Sequence, residues 1–322
     1  MKPIVSVTGI LPEPALWKLK PHCDLKLNET ETAPSMEDLK RFAETSAAMI
    51  TYLTDKIDRE IIEAGKNLKV IANYGAGYNN IDVACAMEKN VWVTNTPGVL
   101  HETTADLAWA LILGVARRIV PADKYTRQNL FKGWGAKLFT GADVYGKTLG
   151  VIGCGEIGSA VARRAKGFDM RILYHQRNRL SPEEEKSLGA EFVSLEDLLK
   201  NSDFVTLHVP LREATRAMIG KDELAIMKVS AYLIHTARGK VVDDTALVEA
   251  LKNNRIAGAG LDVYEDEPEL TEGLAELDNV VLLPHIGSAT VETRTRMALI
   301  VADNVLDALE GKTPRNLVKE LL

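Results

Sequence analysis

Short apolar, β-prone runs alternate with amphipathic helical patterns along most of the chain. The first third contains predicted strands at Ile4 to Val7, Cys23 to Leu27, Ala48 to Thr51, Val70 to Asn73 and Val91 to Asn95. Helical patterns such as Met36 to Thr45 and Lys56 to Ala64 lie between most of these strands. Strands and helices that alternate in this way form parallel sheets with helices on both faces. The pattern predicts a first doubly wound α/β unit, which closes near the turn residues Asn95-Thr96-Pro97-Gly98.

A long apolar helix separates this unit from a second series of strands. The helix is predicted from Thr103 to about Val120, with Pro121 ending it. The later strands are predicted at Lys147 to Ile152, Arg171 to Tyr174, Phe204 to Val209, Ala231 to His235, Ala257 to Asp262 and Val280 to Leu283. A last helix, Val291 to about Glu310, begins behind a Ser288-Ala289-Thr290 cap. The sequence therefore predicts two doubly wound parallel-sheet α/β domains, whose ligands bind beyond the carboxyl ends of the strands.

Composition and charge exclude several classes of protein. The chain has 322 residues, enough for about two domains, and its formal net charge is −6. It contains no run of Lys and Arg, so binding to nucleic acid or to a membrane surface is not expected. Cys23, Cys85 and Cys154 have no metal-like spacing, which predicts no metal site and fits a reducing compartment. With no signal-peptide pattern, and with Leu107 to Val115 too short to span a bilayer, a cytoplasmic protein is expected.

The most informative motif is Gly153-Cys154-Gly155-Glu156-Ile157-Gly158, which directly follows a predicted strand and opens a helical pattern. In a βαβ unit the first glycine permits a sharp turn and the second lets the backbone approach a pyrophosphate. The third lets helix and sheet pack closely, while the phosphates lie at the helix N-terminus. The motif alone is weak evidence, but its position between two strands predicts dinucleotide binding.

The segment after the second strand of this unit indicates which dinucleotide is bound. NAD-binding units usually carry an acid there that contacts the ribose 2′-hydroxyl. This chain has Gln176-Arg177-Asn178-Arg179 instead, without an acid. An arginine can pair with a 2′-phosphate. The sequence therefore predicts a preference for NADP(H), with NAD(H) left possible because exposed arginines are compatible with either cofactor.

Three segments at predicted strand ends carry Arg238, Glu267 and His285. Reduction of a carbonyl needs a proton donor, for which histidine is suited, and a neighbouring carboxylate favours the charged imidazole. An arginine can bind a substrate carboxylate and polarise the carbonyl beside it. Taken singly, each residue has an ordinary structural explanation, and only their joint placement favours catalysis. Of the other histidines, His235 lies in an apolar run that indicates the core, and His208 could line a cofactor cleft.

Together these segments resemble the D-isomer-specific 2-hydroxyacid dehydrogenases, and among them the glyoxylate/hydroxypyruvate reductases. The resemblance extends over nearly the whole chain. It is carried by the glycine motif and by Asn73 to Asp82, His101 to Ala108, Thr236 to Gly239, Gly260 to Val263, Glu267-Pro268 and Pro284 to Thr290.

The resemblance implies a Rossmann-type cofactor domain of residues 99–286. It also implies a flavodoxin-like substrate domain of residues 1–98 and 287–322. His285 is then the acid/base, Glu267 supports it and Arg238 orients the substrate. The expected substrate contacts are Tyr74, Gly75, Ala76, Gly77, Arg238 and Ser288. The expected cofactor contacts are Thr104, Gly153, Gly155, Glu156, Ile157, Gly158, Gln176, Arg177, Asn178, Arg179, Val209, Pro210, Thr215, Thr236, Ala237, Asp262, His285 and Gly287.

The resemblance further implies a homodimer formed through residues 99–140, in which Trp134 reaches the partner's active site. Because Tyr74 to Asn80 contains no Lys or Arg, a phosphorylated substrate is not expected. The expected reaction is NAD(P)H-dependent reduction of glyoxylate or hydroxypyruvate to the 2-hydroxy acid, with hydride from the nicotinamide and the proton from His285.

Several alternatives stay open. The chain could be another D-2-hydroxyacid dehydrogenase, of the 2-ketogluconate or D-lactate type, or a non-catalytic dinucleotide-sensing scaffold. A relative that uses phosphite or formate is also possible. Formate enzymes usually carry a Gln where this chain has Glu267, which favours 2-hydroxy acid chemistry.

Overall fold

The computed structural model describes residues 2–30 and 32–321. Within these residues, a first parallel sheet has five strands, in the order β2-β1-β3-β4-β5. The strands are β1 (Ile4–Val7), β2 (Asp24–Leu27), β3 (Ala48–Thr51), β4 (Val70–Asn73) and β5 (Trp92–Thr94). The helices between them are α1 (Glu13–Leu19), α2 (Met36–Thr45), α3 (Arg59–Ala64) and α4 (Val83–Glu88).

A second parallel sheet has seven strands in the described part of the chain, in the order β12-β11-β10-β9-β6-β7-β8. The strands are β6 (Thr148–Ile152), β7 (Arg171–His175), β8 (Ala190–Phe192), β9 (Phe204–Leu207), β10 (Tyr232–His235), β11 (Gly258–Leu261) and β12 (Val280–Leu282). The helices are α5 (His101–Ala116), α6 (Ile119–Arg127), α7 (Glu156–Ala165), α8 (Pro182–Leu188), α9 (Leu195–Asn201), α10 (Lys221–Ile226) and α11 (Asp244–Lys252). The strand order reverses at β6, where doubly wound sheets bind their ligands. The predicted α/β class with two parallel sheets is confirmed.

The chain divides into two compact units, residues 1–100 with 288–322, and residues 101–287. Helix α12 (Val291–Leu309) follows the whole second unit in sequence but belongs to the first. Its residues Met297 and Val301 share a buried core with Val5 of β1 and Val70 of β4. The expected domain boundaries lay at 98/99 and 286/287, so this division assigns Val99 and Leu100 to the first unit and Gly287 to the second. The roles of the two units as cofactor and substrate domains stay predictions.

The helix predicted from Thr103 to Val120 is two helices. Helix α5 ends at Ala116, Arg118 adopts a left-handed conformation with φ 53°, and α6 begins at Ile119. The prediction that Pro121 ends a helix was wrong. Pro121 lies in the first turn of α6, where its missing N–H removes no intrahelical hydrogen bond.

The apolar stretch in α5 is buried against the second sheet, as its composition predicts. No helix in residues 2–30 and 32–321 is long and apolar enough to cross a membrane. Cys23, Cys85 and Cys154 are buried free thiols. The cytoplasmic location expected from these cysteines stays a prediction.

Candidate active site

Three neighbouring strands of the second sheet bring Arg238, Glu267 and His285 to one edge. Arg238 follows β10, Glu267 lies in the segment after β11, and His285 follows β12. These strands are adjacent and parallel, so their carboxyl ends meet at the same edge. The His285 Nδ1 atom lies 2.7 Å from Glu267 Oε2, within hydrogen-bond distance. The structure thus joins the predicted histidine to the predicted carboxylate across 18 residues of sequence.

Glu267 is held as a carboxylate. Burial alone favours its neutral form. The hydrogen bond and charge of His285 oppose this, together with the backbone N–H of Tyr264 and the Arg238 charge, and they lower the pKa of Glu267. The Tyr264 N–H donates to Oε1 at 3.1 Å. A carboxylate can only accept, so the proton of the shared hydrogen bond belongs to His285 Nδ1. The Nε2 atom is therefore the ring nitrogen left to exchange a proton with a substrate.

The loop that carries His285 is fixed by a buried carboxylate. Asp262 accepts hydrogen bonds from the backbone N–H groups of Ile286 and Gly287, each at 2.8 Å. Asp262 is 1% exposed, and its burial raises its pKa, although both N–H groups oppose that shift. His285 itself adopts a left-handed conformation with φ 54°, which is uncommon for a residue other than glycine. The two bonds to Asp262 hold the loop in this conformation. Sequence reasoning missed this role, because it considered Asp262 only as a cofactor contact.

Arg238 is placed by its neighbour Gly239. A Cβ atom at Gly239 would lie 1.6 Å from the Tyr264 carbonyl oxygen, so only glycine lets the two loop backbones touch. Arg238 is partly buried, and its Nη1 donates to the Ala237 carbonyl oxygen at 2.7 Å. Burial lowers the pKa of Arg238, and the charge of Glu267 opposes that shift. Arg238 remains a cation close enough to Glu267 for their charges to interact.

The glycine motif after β6 has the geometry that a pyrophosphate requires. Gly153 turns with φ 89°, and a Cβ atom at Gly158 would lie 2.0 Å from the Gly153 carbonyl oxygen. A Cβ atom at Gly155, by contrast, would have no neighbour within 4 Å. Across the described chain, the N–H groups of Glu156, Ile157 and Gly158 at the start of α7 have no protein acceptor. The motif therefore fits the phosphates of a dinucleotide.

The segment after β7 separates its two arginines. Arg179 pairs with Glu185 through Nε and Nη2, at 2.7 Å and 2.9 Å. Arg177 is exposed, and it makes no hydrogen bond or ion pair with the residues that the structure describes. Gln176 turns back to the glycine motif, where its Oε1 accepts from the Cys154 N–H at 2.9 Å. Its Nε2 donates to the Asn178 carbonyl oxygen at 2.7 Å. Arg177 is therefore the arginine that is free to meet a ligand.

The remaining expected cofactor contacts also lie in the second unit. Thr104 of α5 donates to the Gly287 carbonyl oxygen at 3.1 Å. Thr215 donates to the Pro210 carbonyl oxygen at 2.7 Å, which closes the turn that follows Val209. Thr236 and Ala237 lie directly after β10 and are 7% exposed. The structure fixes the positions of these residues, and their contact with a cofactor stays a prediction.

Two further histidines lie at strand ends of the same sheet. His235 of β10 is fully buried, as its apolar neighbours predict. Burial lowers the pKa of His235 to about 4, partly offset by hydrogen bonds to backbone carbonyls, and that of His208 to about 3. His208 Nε2 lies 2.8 Å from the Thr206 hydroxyl. Both rings are therefore neutral at physiological pH and do not contribute charge to the site.

The expected substrate loop, Tyr74 to Gly77, follows β4 in the first unit. The Tyr74 hydroxyl donates to the Arg294 carbonyl oxygen of α12 at 2.6 Å. A Cβ atom at Gly75 would lie 2.4 Å from Leu53 Cδ2, which explains the glycine there. Ser288 lies before α12, where its carbonyl oxygen accepts from the Thr290 N–H at 2.9 Å. Binding of a substrate by these residues stays a prediction.

Known proteins match this chain over nearly its full length. A glyoxylate reductase of Korarchaeum cryptofilum is 51% identical, covering 99% of this chain and 97% of the relative. A glyoxylate reductase of Thermococcus kodakarensis is 49% identical over the same shares of the two chains.

A solved structure shares the fold. It is the NADPH-dependent glyoxylate/hydroxypyruvate reductase of Sinorhizobium meliloti in complex with NADP and malonate. That protein is 32% identical and has a TM-score of 0.87, and the match covers 99% of this chain and 98% of that chain. The NAD binding domain of the D-isomer specific 2-hydroxyacid dehydrogenases matches residues 109–287. The chain therefore belongs to the D-isomer specific 2-hydroxyacid dehydrogenase family, and it is an oxidoreductase with an NAD(P)-binding domain.

Proposed function

We propose that this enzyme reduces glyoxylate or hydroxypyruvate to the corresponding 2-hydroxy acid, and that it prefers NADPH to NADH. The observation that carries the proposal is the hydrogen bond between His285 Nδ1 and ionised Glu267, which lies beside a partly buried Arg238. Relatives about half identical to this chain are named glyoxylate reductases, and a structural neighbour is a glyoxylate/hydroxypyruvate reductase.

The three side chains divide the work of carbonyl reduction. A bound reduced nicotinamide supplies the hydride that forms the new C–H bond at the carbonyl carbon. His285 gives the proton on Nε2 to the carbonyl oxygen, which becomes the hydroxyl group. Glu267 fixes the ring orientation and stabilises the charged imidazole before the proton leaves. Arg238 draws electron density towards the carbonyl oxygen and orients the substrate carboxylate.

We further propose that the first unit binds the substrate carboxylate through backbone N–H groups of Gly75, Ala76 and Gly77. Tyr74 and Ser288 complete the expected contacts. This assignment is supported by the family resemblance and by the absence of Lys and Arg from residues 74–80, which suits a small unphosphorylated acid.

The test follows the absorbance of NADPH, then of NADH, with glyoxylate, hydroxypyruvate, pyruvate and 2-ketogluconate. We expect His285→Gln to lower kcat by about a thousandfold, because it removes the general acid. Glu267→Gln should lower it less. The exposed His22 supplies the control His22→Gln, whose kcat should match the wild type. Wild-type protein that binds dinucleotide but reduces none of these acids would contradict the proposal and favour the sensing scaffold.

The cofactor preference is tested at Arg177, with Arg179 as the matched control. Arg177→Ala should raise the KM for NADPH by about tenfold or more and leave the KM for NADH unchanged, because a charge-assisted contact is lost. Arg179→Ala should affect NADPH much less, since Glu185 already pairs with that guanidinium. If Arg177→Ala raised the KM for NADPH and the KM for NADH by the same factor, a contact between Arg177 and the 2′-phosphate would be refuted.

We also propose a homodimer formed through residues 99–140. This segment exposes large apolar side chains that include Ile119, Leu130, Phe131 and Trp134, the last of them 87% exposed. Apolar surface of this extent is typical of an interface. Light scattering should give twice the chain mass, and Phe131→Glu should lower it towards that of one chain. A wild-type protein that stays monomeric at high concentration would overturn this part of the proposal.

A further inference from the structure

Three consecutive carbonyl groups in the loop after β4 each accept a hydrogen bond from a fixed donor. The Thr96 N–H donates to the Gly75 carbonyl oxygen at 3.0 Å. Asn95 Nδ2 donates to the Ala76 carbonyl oxygen at 2.7 Å, and Asn73 Nδ2 donates to the Gly77 carbonyl oxygen at 2.6 Å. Two asparagine side chains and one backbone amide thus fix the orientation of three successive peptide groups.

The fixed carbonyl groups determine where the N–H groups of the loop point. In a planar trans peptide, the C=O bond and the N–H bond of the next residue point in opposite directions. The bond to Gly75 therefore fixes the N–H of Ala76, and the bond from Asn95 fixes the N–H of Gly77. Neither N–H donates to any residue within 2–30 and 32–321. Both donors are thus held in place and left available to a ligand.

The two asparagines are themselves held by other contacts. Asn73 is fully buried, and its Oδ1 accepts from the Thr51 hydroxyl at 3.1 Å and from Asn80 Nδ2 at 3.3 Å. Because Oδ1 is used by two donors, a flip of the Asn73 amide would break three contacts. Asn95 is anchored through its backbone N–H, which donates to the Asn316 carbonyl oxygen at 3.2 Å. Neither amide can rotate without a loss of hydrogen bonds.

We propose that Asn95 is a positioning residue for the substrate carboxylate. It acts through the backbone, because its bond to the Ala76 carbonyl oxygen keeps the N–H of Gly77 in the orientation that a carboxylate requires. The Thr96 N–H does the same for the N–H of Ala76, and Asn73 fixes the peptide group that follows Gly77. The amide donor of Asn95 is already used by a loop carbonyl group, so Asn95 needs no contact with the substrate. The inference rests on the proposed function, because it takes the ligand of these N–H groups to be a 2-oxo acid.

Asn95→Asp is the sharpest test, because it keeps the shape of the side chain and replaces the donor by an oxygen. Asn73 is less suitable, since a buried aspartate at that position would disturb folding. We expect Asn95→Asp to raise the KM for glyoxylate by about tenfold or more, since a loop hydrogen bond is replaced by repulsion. The kcat should change by less than about threefold, and the Kd for NADPH should not change. Asn95→Ala should behave similarly, which separates the lost donor from the added charge.

Asn28→Asp is the matched control. Asn28 lies directly after β2 of the same sheet, is also half-buried, and donates through Nδ2 to the Thr8 carbonyl oxygen at 3.0 Å. Asn28→Asp therefore loses the same kind of hydrogen bond as Asn95→Asp, but at the end of β2, away from the Tyr74 to Gly77 loop that follows β4. Its KM should equal that of the wild type. An equal rise of KM in Asn28→Asp and Asn95→Asp would show a general loss of order and overturn the proposal.

A measurement without turnover separates this inference from the proposed function. Wild-type protein labelled with ¹⁵N-alanine and ¹⁵N-glycine is saturated with NADPH and titrated with oxalate, an inert dicarboxylate probe. The amide signals of Ala76 and Gly77 should shift in the wild type and in Asn28→Asp, and saturate only at much higher oxalate concentration in Asn95→Asp.

If the wild type binds oxalate in this way but reduces no 2-oxo acid, the positioning role stands and the proposed reaction fails. If the wild type reduces glyoxylate while Asn95→Asp retains its KM and its oxalate affinity, the positioning role is overturned. The role is also overturned if oxalate leaves the Ala76 and Gly77 signals of the wild type unmoved.

Discussion

The two units each present backbone N–H groups beyond an internal strand of the sheet, but they hold those groups in different ways. In the second unit, Gly153 and Gly158 let α7 begin directly behind β6, so the helix itself aims its first N–H groups. In the first unit, no helix follows β4 directly, and side chains from Asn73 and Asn95 hold the loop instead. One arrangement depends on the absence of side chains at set positions. The other depends on the presence of two particular side chains.

This difference determines what can be found in a sequence. Glycines at fixed spacing within six residues form a local signal, whereas Asn73 and Asn95 are 22 positions apart and meet only through the pairing of β4 with β5. Substitutions should also have different effects in the two units. Where glycine lets backbone segments touch, a new Cβ should destabilise the fold, whereas a loop that is held by side chains should lose mainly substrate affinity.

The largest effect is expected from Gly158→Ala. The new Cβ would lie 2.0 Å from the Gly153 carbonyl oxygen, and backbone cannot move aside without separating α7 from β6. We expect a loss of several kcal/mol in the free energy of unfolding, about 3 or more, and no measurable dinucleotide binding. Gly155→Ala is the control, because its Cβ would meet no protein atom within 4 Å. It should keep the wild-type Tm and lose only dinucleotide affinity. Equal Tm values for the two variants would contradict the close packing at Gly158.

A smaller and reversible effect is expected from Gly75→Ala in the first unit. Its Cβ would meet the Leu53 side chain, at 2.4 Å from Cδ2, and a side chain can be shortened. We expect the variant to raise the KM for glyoxylate by about tenfold, because the loop is displaced. The double variant Gly75→Ala/Leu53→Ala should recover part of that loss. No recovery would mean that the backbone at Gly75 is constrained by something other than Leu53.

The smallest effect concerns pH. At strand ends of the second unit His235 is buried and His208 is half-buried, whereas Thr51 and Asn73 at the ends of β3 and β4 do not titrate. The pKa of His235 is lowered to about 4 in the folded chain, so between about pH 6.5 and pH 4 the unfolded chain binds a proton at this histidine and the folded chain does not. His235 therefore lowers the free energy of unfolding as the pH falls through this range, by about 2 kcal/mol near pH 5.

His235→Gln tests this sign. Its urea midpoint should fall less between pH 7 and pH 5 than that of the wild type, even if it is lower at pH 7. The exposed His22 gives the control His22→Gln, which should keep the wild-type pH dependence. A steeper fall in His235→Gln than in the wild type would mean that the histidine is charged in the folded chain.

Strand positions, and the meeting of the candidate residues His285 and Glu267 at one sheet edge, could be predicted from the sequence, because both depend on local patterns. Parallel strands give apolar runs, and the groups that follow them collect at one sheet edge. The end of α5 was misjudged, because proline is compatible with a first helical turn as well as with a helix end. Helix α1 was not among the predicted helices, and it also contains proline near its start: Pro12 is its N-cap residue and Pro14 lies in its first turn.

The contacts that hold the site could not be read from the sequence. Asp262 accepts a hydrogen bond from the Ile286 N–H, which lies 24 positions later in the sequence. Gln176 accepts a hydrogen bond from the Cys154 N–H, which lies 22 positions earlier. Each is a polar side chain whose partner is a backbone group of another segment, so no residue type at the partner position marks the pair. The single available signal was placement at a strand end, which also fits a cofactor contact.

The position of α12 has a consequence for synthesis. Val291–Leu309 packs into the core of the first unit, yet it leaves the ribosome after every residue of the second. The chain of residues 1–100 must therefore wait, with the apolar face that α12 covers open to water, while the 187 residues from 101 to 287 are made. The second unit is continuous and can fold as it emerges. The unit that begins the chain is thus the later one to be completed.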